Sequence, residues 1–530
     1  MMLRFSPFSV VVVVVVFTTL GVHAEQSTKL PPSTSTSATI PQKCLTMDNM
    51  FAGLKEMEYA VRGKVVIAAD EIHADLKKAE NKDKYPFDHI VYTNIGNPHS
   101  VGQKPLTWPR QVMALVDLPD EMGVDHPLAE KMFPIDAIAR AKEIKQALEG
   151  SGTGAYTHSK GVKAFREDVA KFIETRDGGN IAADPESIFL TNGASAGITM
   201  ILTALIAHNK CGIMIPIPQY PLYSATIDLL QGQKVGYYLE EENGWSLNVK
   251  ELERAYEDAK RKGIDIRGLV AINPGNPSGA VLTRENLHDV VNFCSKHNIV
   301  LLADEVYQEN VYEDNAEFIS CKRAAHEMGL LEPDNNKIEL VSFHSTSKGV
   351  FGECGRRGGY MELVGFTTDV KDTLYKMASA FLCGSTNGQV MTSLMVRGPA
   401  PTDVSYQKHE REIQKIFESL KSRSVMVSEG LNAISGFSCQ PATGSMYCFP
   451  SIEMPKAAIA AANAMGTPPD TLYAVSLLKR TGICVVPGSG FGQKEGRFGF
   501  RTTFLPTETE MVKAVERIRQ HYEEFCEEYK

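Results

Sequence analysis

The sequence lacks the cysteine patterns of a zinc site or a redox pair, and it lacks an acceptor for N-glycosylation. No two of its ten cysteines are spaced as Cys-x-x-Cys, and no Asn-x-Ser/Thr triplet has a permitted middle residue. Both absences argue against simple secretion. Isolated cysteines usually pack as small apolar side chains, so we expect most of them to be buried thiols and predict no metal site. The cysteines are Cys44, Cys211, Cys294, Cys321, Cys354, Cys383, Cys439, Cys448, Cys484 and Cys526.

An excess of positive charge is also missing. The 55 lysines and arginines are outnumbered by 64 acidic side chains, which gives a net charge of -9. Such a chain repels the phosphate backbone of nucleic acids, so nucleic acid is not an expected partner. A DNA-binding regulator would in addition need a basic module, and the N-terminus does not provide one.

No apolar run reaches the length of a membrane span. The run Val10–Leu20 follows Arg4 and is shorter than the ~20 residues that a spanning helix needs. With the small-residue stretch Val22–Ala24 behind it, it predicts a signal-like targeting segment over residues 1–24. The Ser/Thr/Pro-rich residues 25–46 are predicted to be a linker or a transit segment. We expect import into an organelle, either a mitochondrion or one reached by the secretory route, and no permanent membrane span.

The remaining sequence contains enough apolar material for two domains. Of 530 residues, 43% are hydrophobic, and single cores stop growing at about 250–300 residues. Between Ser187 and Val364, short apolar runs alternate with amphipathic stretches, which is typical of βα units in a mostly parallel sheet. We predict a large α/β domain over residues 135–400 and a smaller α+β domain built from residues 47–134 and 401–530. The predicted strands are Ile188–Thr191, Ile213–Ile217, Val235–Leu239, Leu269–Ile272, Ile299–Ala303 and Leu340–Phe343. The predicted helices include Met57–Lys78, Arg284–His297, Tyr406–Leu431 and one that begins at Glu508.

Lys348 lies among hydroxyl side chains in Ser342–Gly349 (SFHSTSKG), at the end of an apolar strand. A lysine amine attacks a carbonyl group only when it is unprotonated, and burial or neighbouring cations favour that form. Taken alone, Lys348 would be an ordinary surface lysine. The motifs around it make it a candidate for imine formation.

Asp304 ends the apolar run Val300–Ala303, at the edge of the sheet where open α/β folds bind ligands. A carboxylate there can keep a pyridinium nitrogen protonated, and a protonated ring stabilises a carbanion. Tyr307, three residues later, can reach the phenolic oxygen of such a ring. The alternative interpretation is that Asp304 is only a helix N-cap.

Two turns add polar groups. Asn273–Gly279 (NPGNPSG) is rich in Pro, Gly and Asn, and can hold the Asn276 amide rigidly as a donor to the same oxygen. Thr191–Gly197 (TNGASAG) precedes an apolar helix and exposes backbone N–H groups at its positive end, which suits a phosphate. Each turn alone is weak support, because glycine also serves purely steric needs.

Taken in this order, the four motifs resemble those of the class I, fold-type-I aminotransferases. Along essentially the whole chain from about Thr46 the resemblance is to the alanine aminotransferase subfamily. It implies a large, mostly parallel-sheet α/β domain with a smaller α+β domain, and pyridoxal 5′-phosphate as the cofactor. The segments that carry it are Leu54–Gly63, Asn273–Gly279, Asp304–Tyr312 and Ser342–Gly359.

The resemblance implies a role for each matching residue. Lys348 would form the Schiff base and then move the proton. Asp304 would pair with the pyridine nitrogen, Asn276 and Tyr307 would bind the phenolic oxygen, and Tyr220 would stack on the ring. The phosphate ligands would be Ala194, Ser195, Ser345, Ser347 and an arginine, for which Arg357 is favoured over Arg356 because Gly358 and Gly359 follow it.

For the substrate, the resemblance implies that Arg501 binds the α-carboxylate, assisted by the backbone of Gly96 and by Asn276. Tyr156 would reach the phosphate of a partner subunit, which implies a homodimer. The expected reaction is L-alanine plus 2-oxoglutarate to pyruvate plus L-glutamate. A glutamate–glyoxylate aminotransferase would use the same residues and remains the nearest alternative, and a lyase on this fold would keep Lys348 and Asp304.

Overall fold

The computed structural model describes residues 44–59, 63–78, 84–150, 152–332 and 335–530. The predicted targeting segment, residues 1–24, and most of the predicted linker lie outside these residues, as do positions 60–62 of the first subfamily motif. Phe51–Lys530 form one compact unit. In the unit that precedes it, the Asn49 side chain closes a turn by accepting from the Thr46 N–H at 2.8 Å.

The strands of the described residues fall into one large sheet and several small ones. In chain order the strands are β1 (Val91–Tyr92), β2 (Ile188–Leu190), β3 (Cys211–Ile217), β4 (Gln233–Tyr238), β5 (Asp265–Ile272), β6 (Val300–Asp304), β7 (Leu331–Glu332), β8 (Asn335–Asn336), β9 (Leu340–Ser345), β10 (Gly359–Val364), β11 (Phe437–Ser438), β12 (Tyr447–Cys448), β13 (Ser451–Ile452), β14 (Ile483–Cys484), β15 (Val486–Pro487) and β16 (Phe500–Thr503).

The helices of the described residues share the same chain order. They are α1 (Ala52–Glu56), α2 (Lys64–Leu76), α3 (Thr107–Asp117), α4 (Ala129–Met132), α5 (Ile135–Ala147), α6 (Lys163–Arg176), α7 (Ala194–Leu205), α8 (Pro221–Leu229), α9 (Val249–Arg261), α10 (Arg284–His297), α11 (Cys321–Glu327), α12 (Thr368–Ala380), α13 (Thr386–Val396), α14 (Tyr406–Asn432), α15 (Lys456–Ala464), α16 (Pro469–Thr481) and α17 (Glu508–Glu528). None is long and apolar enough to cross a membrane within the described part of the chain.

The large sheet has the strand order β2-β10-β9-β6-β5-β3-β4. All neighbours from β9 to β4 are parallel, and β10 is antiparallel to both β9 and β2. The six predicted strands are all present. The seventh, β10, follows β9 without an intervening α-helix, so the βα alternation of the sequence did not indicate it.

Burial explains why the central strands are continuous apolar runs. Every residue of β6 and β9 is buried, because helices cover both faces of a sheet built by βα crossovers. In the register, Asp304 at the end of β6 is paired with Ile272 on one side and Phe343 on the other. The carboxyl ends of β5, β6 and β9 therefore lie side by side at one edge of the sheet.

Short strands connect the beginning of the chain with its end. Strand β1 pairs in parallel with β14, and the Thr503 N–H donates to the Thr93 carbonyl at 2.9 Å. Strands β12, β16 and β15 form a small antiparallel sheet. These pairings join residues near 90 to residues near 480–500; the predicted division at residues 134 and 400 stays a prediction.

Local signals mark both ends of helix α10. Helix α10 matches its predicted bounds, with the Thr283 hydroxyl accepting from the Asn286 N–H at its start and Asn298 in the left-handed conformation at its end. The prediction of a helix from Met57 to Lys78 is wrong at its start. Met57 is extended and the helix begins at Lys64, because Gly63 acts as an extended N-cap rather than as a helix interior residue.

Six of the ten cysteines are buried, in agreement with the expectation for most of them. Cys354, Cys383 and Cys526 are half-buried and Cys44 is exposed.

Candidate active site

A cavity of about 270 Å³ opens at the carboxyl ends of β6 and β9. It is close to the lower end of the size range of small-molecule pockets. Twelve of the thirteen site residues predicted from the sequence line it: Gly96, Ala194, Ser195, Tyr220, Asn276, Asp304, Tyr307, Ser345, Ser347, Lys348, Arg357 and Arg501.

Lys348 stands in the turn that follows β9. Its amine donates to the Gly96 carbonyl at 3.1 Å and lies 5.8 Å from the centre of the Tyr307 ring. Gly96 has no room for a side chain, since a Cβ there would lie 2.2 Å from the Tyr447 hydroxyl and 3.0 Å from the lysine amine. The amine is therefore held inside the cavity by a backbone carbonyl rather than by a carboxylate.

Asp304 presents one satisfied oxygen and one unsatisfied oxygen. The Tyr223 hydroxyl donates to Oδ2 at 3.0 Å, whereas the buried Oδ1 has no hydrogen-bond partner among the described residues. Burial raises the pKa of Asp304 to about 6, although Tyr223, the Val306 N–H and the charge of Lys348 act in the opposite direction. A buried acceptor without a partner is costly, so this edge of the cavity is built to receive a donor.

A chain of hydrogen bonds crosses the cavity from Arg501 to Tyr447. Arg501 donates to Asn276 Oδ1 at 3.0 Å, which turns the Asn276 NH2 group towards Tyr307, 3.5 Å away. The Tyr307 hydroxyl in turn donates to the Tyr447 hydroxyl at 3.3 Å. The Asn276 amide is therefore oriented by the arginine, a contact that the sequence did not predict.

Arg501 is buried without a counter-charge. Its side chain is among the largest that are fully buried, with 1% exposure. It donates to Asn276 and to the Asn94 carbonyl, its Nε has no partner, and it packs 4.2 Å from the centre of the Tyr447 ring. No carboxylate of the described residues pairs with it. Burying a charge in this way is expensive unless an anion joins it.

The opposite end of the cavity combines a helix N-terminus with a second arginine. Helix α7 begins at Ala194, after Gly193 with φ 73°. A Cβ on Gly193 would lie 2.4 Å from an Arg357 nitrogen, so glycine is required by both the backbone conformation and the close approach. Arg357 donates to Ser195 Oγ at 3.3 Å and to Ser347 Oγ at 3.4 Å. N–H groups, hydroxyls and a guanidinium meet here, as an anion requires.

The two adjacent arginines diverge. Arg357 has a left-handed backbone, φ 57°, which points its side chain into the cavity. Arg356 does not line the cavity, and its Nε lies 4.0 Å from Glu353 Oε2. Of the two candidates that the sequence offered, Arg357 therefore lines the cavity; its role at the phosphate stays a prediction.

Tyr156 is the one predicted site residue that the chain does not bring to the cavity. It follows the short helical turn Gly152–Gly154 and is 78% exposed. Tyr156 is predicted to contact the phosphate of a partner subunit, outside this chain's own cavity. That role stays a prediction.

Sequence reasoning missed several aromatic residues of the site. Tyr447 lies on β12, far along the chain from the other motifs, and Tyr223 supports Asp304 from within α8. Burial raises the pKa of Tyr447, but Lys348, Arg501 and the hydrogen bond from Tyr307 outweigh it and leave the pKa below its ordinary value. Tyr59 also lines the cavity. Tyr59 lies in the motif segment Leu54–Gly63, but the sequence assigned it no role. No local pattern marks Tyr223 or Tyr447, because their contacts are with distant segments.

Comparison with known sequences gives a consistent group of relatives. A family model described as aminotransferase class I and II matches residues 123–518. A Dictyostelium discoideum protein named probable alanine aminotransferase, mitochondrial, is 50% identical over 492 residues, which cover 92% of this chain and 91% of that protein. An Arabidopsis thaliana protein named glutamate–glyoxylate aminotransferase 1 is 45% identical over 487 residues, which cover 92% of this chain and 98% of that protein.

Solved structures share the fold. An alanine aminotransferase from Pyrococcus furiosus superposes with a TM-score of 0.67 at 23% identity, over 89% of this chain and 99% of that one. An aminotransferase from Escherichia coli gives a TM-score of 0.66 at 23% identity, over 90% and 98% of the two chains.

Proposed function

The chain belongs to the class I and II aminotransferases, and we propose that it transfers the amino group of L-alanine to 2-oxoglutarate, forming pyruvate and L-glutamate. Its architecture is the fold-type-I architecture that the sequence predicted. Relatives that are 50% and 48% identical to it carry the name alanine aminotransferase. The proposed cofactor is pyridoxal 5′-phosphate, held in the cavity around Lys348.

The observation that carries the proposal is the pair of unsatisfied buried groups in the cavity. Asp304 Oδ1 lacks a donor and Arg501 lacks a counter-anion among the described residues. A pyridine N–H would satisfy the first, and the α-carboxylate of an amino or oxo acid would satisfy the second. The chemistry of the donor set therefore fits both the cofactor and its substrates.

Pyridoxal phosphate, when bound, supplies a carbonyl that condenses with amines and a ring that accepts the electron pair released at the substrate's α-carbon. Asp304 would keep the ring nitrogen protonated. Because burial raises the pKa of Asp304 only to about 6, the carboxylate is ionised at neutral pH and can form that ion pair.

Lys348 would hold the cofactor in the resting enzyme and then act as the base that moves the substrate's α-proton. Its amine lies inside the cavity, on the Gly96 carbonyl, with no carboxylate of the described residues paired to it.

Asn276 and Tyr307 would bind the phenolic oxygen of the cofactor. The Asn276 NH2 group is oriented by Arg501 on its carbonyl side. Arg501 also links the cofactor region to the substrate, because the α-carboxylate would bind to its guanidinium bidentately. Tyr220, which lines the cavity, would stack on the ring.

The phosphate would bind at the start of α7. There the N–H groups of Ala194 and Ser195, the hydroxyls of Ser345 and Ser347, and Arg357 converge on one end of the cavity. The proposed enzyme is a homodimer in which Tyr156 of each subunit reaches the partner's phosphate. The exposure of Tyr156 in the single chain supports this assignment.

A second reaction has support from two relatives. Two Arabidopsis proteins that are 45% identical carry the names glutamate–glyoxylate aminotransferase 1 and 2, and glyoxylate would need the same Lys348, Asp304 and Arg501. The two functions differ in the oxo acid that restores the cofactor, so the test must offer both acids.

We further propose that the enzyme works inside an organelle. The relatives from Dictyostelium and Arabidopsis that are 50% and 48% identical are both named as mitochondrial. The N-terminal sequence pattern is compatible with that compartment. A fluorescent fusion at the C-terminus, with and without residues 1–46, would test it by co-localisation with a mitochondrial dye.

The test of the reaction is the absorption spectrum of the purified protein supplied with pyridoxal phosphate. L-Alanine should convert the visible band of the lysine-bound cofactor to the band of its aminated form, and 2-oxoglutarate should restore it faster than glyoxylate does. Lys348→Ala should lose both the band and the activity, whereas Lys376→Ala, an exposed lysine on α12, should keep both. A Lys348→Ala variant with full turnover would contradict the mechanism, and faster recovery with glyoxylate would favour the second reaction.

A further inference from the structure

Glutamate and 2-oxoglutarate carry a distal carboxylate that alanine and pyruvate lack. The basic side chains among the described lining residues are Lys348, Arg357 and Arg501, and the proposed function assigns each of them to the cofactor or to the α-carboxylate. A carboxylate that leaves water needs hydrogen-bond donors in its new environment. Within the described part of the cavity, the distal carboxylate is left to neutral donors.

Two tyrosines from different segments provide such donors. The hydroxyl groups of Tyr59 and Tyr220 are 3.2 Å apart, and both residues line the cavity. Tyr59 follows α1, and Tyr220 is the N-cap residue of α8. The two residues are 161 positions apart in the sequence, so only the fold pairs them.

The pair has one more donor than it uses. Each phenol has one O–H, and the bond between the two hydroxyls consumes one of them. No other hydrogen-bond partner of either hydroxyl is found among the described residues. Burial and the neighbouring Tyr59 raise the pKa of Tyr220 well above its usual value, so Tyr220 remains a neutral donor at any working pH.

Helix α1 positions Tyr59 by direct contact with α8. Gly53 is buried on α1, and a Cβ at this position would lie 2.2 Å from the Leu229 carbonyl oxygen and 2.9 Å from that of Asp228. The α1 backbone therefore touches the end of the same helix that Tyr220 begins. We therefore expect a side chain at position 53 to increase the distance between the two hydroxyls.

The other neutral donors of the cavity are less suited to the task. The Tyr447 hydroxyl accepts from Tyr307 and keeps its own O–H free, but it lies against Gly96 and beside the groups assigned to the phenolic oxygen of the cofactor. The Cys354 thiol donates to the Ser347 carbonyl at 3.1 Å. Asn97 also lines the cavity and carries no such assignment, so it is the competitor to be tested.

We propose that the Tyr59–Tyr220 hydroxyl pair binds the distal carboxylate of glutamate and 2-oxoglutarate. This inference rests on the proposed function and adds a subsite to it. The free O–H donates to one carboxylate oxygen, and when alanine or pyruvate occupies the site the pair keeps its mutual bond. One active site can then accept both a methyl group and a propionate group. The same subsite would serve glutamate if glyoxylate were the partner acid.

The test compares two substrate pairs in one variant. Tyr59→Phe should lower kcat/KM for L-glutamate and 2-oxoglutarate by about 10- to 100-fold, the range for a hydrogen bond to a charged group. The values for L-alanine and pyruvate should stay within about twofold of the wild type, because no bond to those substrates is lost. Tyr238→Phe, a half-exposed tyrosine on edge strand β4, is the matched control and should change neither pair.

Three further measurements separate the pair from its surroundings. Tyr220→Phe keeps the aromatic ring that is assigned to the cofactor; relative to the wild type, kcat/KM for L-glutamate and 2-oxoglutarate should fall further than kcat/KM for L-alanine and pyruvate. Gly53→Ala should reproduce the split in the same direction, since it pushes α1 away from α8. Competitive inhibition by glutarate should weaken in Tyr59→Phe while inhibition by pentanoate, which has one carboxylate fewer, should not. The competitor is tested by Asn97→Ala, which should leave the ratio between the substrate pairs unchanged.

Each failure has a distinct signature. A wild-type enzyme that accepts neither alanine nor glutamate would overturn the proposed function itself. An active wild type in which Tyr59→Phe reduces both substrate pairs equally, or neither, would overturn only the subsite, as would a split produced by Asn97→Ala and not by Tyr59→Phe.

Discussion

Asp304 and Glu305 are neighbours at the end of β6, yet they belong to two different regions of the molecule. Asp304 faces the cavity with Oδ1 unpartnered among the described residues. Glu305 faces the other side of the sheet and is 1% exposed. There Oε1 accepts from the Cys321 N–H at 2.8 Å, and Oε2 accepts from the Ser342 hydroxyl.

The buried arginines of the two regions differ in the same way. Arg176, behind the sheet, forms an ion pair with Asp177 at 2.8 Å and lies 3.5 Å from Glu305 Oε2. Arg501, in the cavity, has only neutral acceptors among the described residues. The region behind the sheet supplies its own counter-charges, whereas the cavity holds an acid and an arginine that an external ligand must complete. Satisfied buried charges indicate a structural role here, and unsatisfied ones indicate a binding role.

The largest expected effect is on the cavity side of this comparison. Asp304→Asn should reduce kcat by about 10²- to 10³-fold, the cost of losing one well-placed electrostatic group, because an amide cannot hold the ring nitrogen protonated. The melting temperature should not fall, since an uncompensated buried carboxylate is removed. Steady-state kinetics and thermal unfolding on one preparation test the predicted kcat and the predicted melting temperature. A wild-type kcat in Asp304→Asn would contradict the binding role assigned to the unsatisfied carboxylate of the cavity.

The next effect concerns the arginine without a counter-charge. Arg501→Lys should raise KM for amino and oxo acids by about 10- to 100-fold, because an ammonium cannot bind a carboxylate bidentately. The positive charge is retained in Arg501→Lys, so a change in KM would measure the contribution of bidentate binding by the guanidinium group. Unchanged KM values for all substrates would show that Arg501 does not bind the α-carboxylate.

Behind the sheet, the expected effect is on stability. Glu305→Gln should lower the free energy of unfolding by about 1–3 kcal/mol, since charged hydrogen bonds to Ser342 and Cys321 and the ion pair with Arg176 are weakened. The kcat of the folded protein should remain near that of the wild type. Urea unfolding measures the first quantity. A large fall in kcat at normal stability would mean that this region also takes part in the chemistry.

The smallest effect is a pH dependence of the cofactor-free protein. The pKa of Asp304 is raised by burial from 3.8 to about 6, so between these values the folded state holds more protons at this site than the unfolded state. Stability from this group is therefore present below pH 4 and is lost as the pH rises to 6, with a slope of at most about 1.4 kcal/mol per pH unit. Asp304→Asn should remove that contribution, which urea titrations from pH 4 to 7 would detect as a difference in slope.

The sequence alone was sufficient to place the polar residues that lie at the ends of parallel strands. Asp304 and Lys348 could be placed because parallel strands bring their carboxyl ends to one edge, and Asn276 because its turn has few conformations. The six predicted strands needed only apolar runs of the right length. Strand β10 was missed because it returns antiparallel directly from a loop, and the start of α2 was misplaced because helical periodicity runs past Gly63.

Aromatic partners show where sequence reasoning ended. Tyr223, Tyr447 and Tyr59 each contact a predicted site residue, and the sequence assigned a role to none of them, although Tyr59 lies in the motif segment Leu54–Gly63. Their neighbours lie between 81 and 161 positions away along the chain. From the sequence, a tyrosine at such a position cannot be distinguished from an ordinary core residue, since aromatic side chains are common in cores because of the large apolar area that they bury.

By itself, the sequence determined the fold class, the family and the set of polar residues at the ends of β6 and β9, because these depend on local periodicity, turn chemistry and residue order. Tertiary structure decided which buried charges remain unsatisfied, which of Arg356 and Arg357 enters the cavity, and which tyrosines meet across it. Those outcomes depend on distances between segments far apart in sequence, and an unsatisfied group is defined only once every neighbour in space is known.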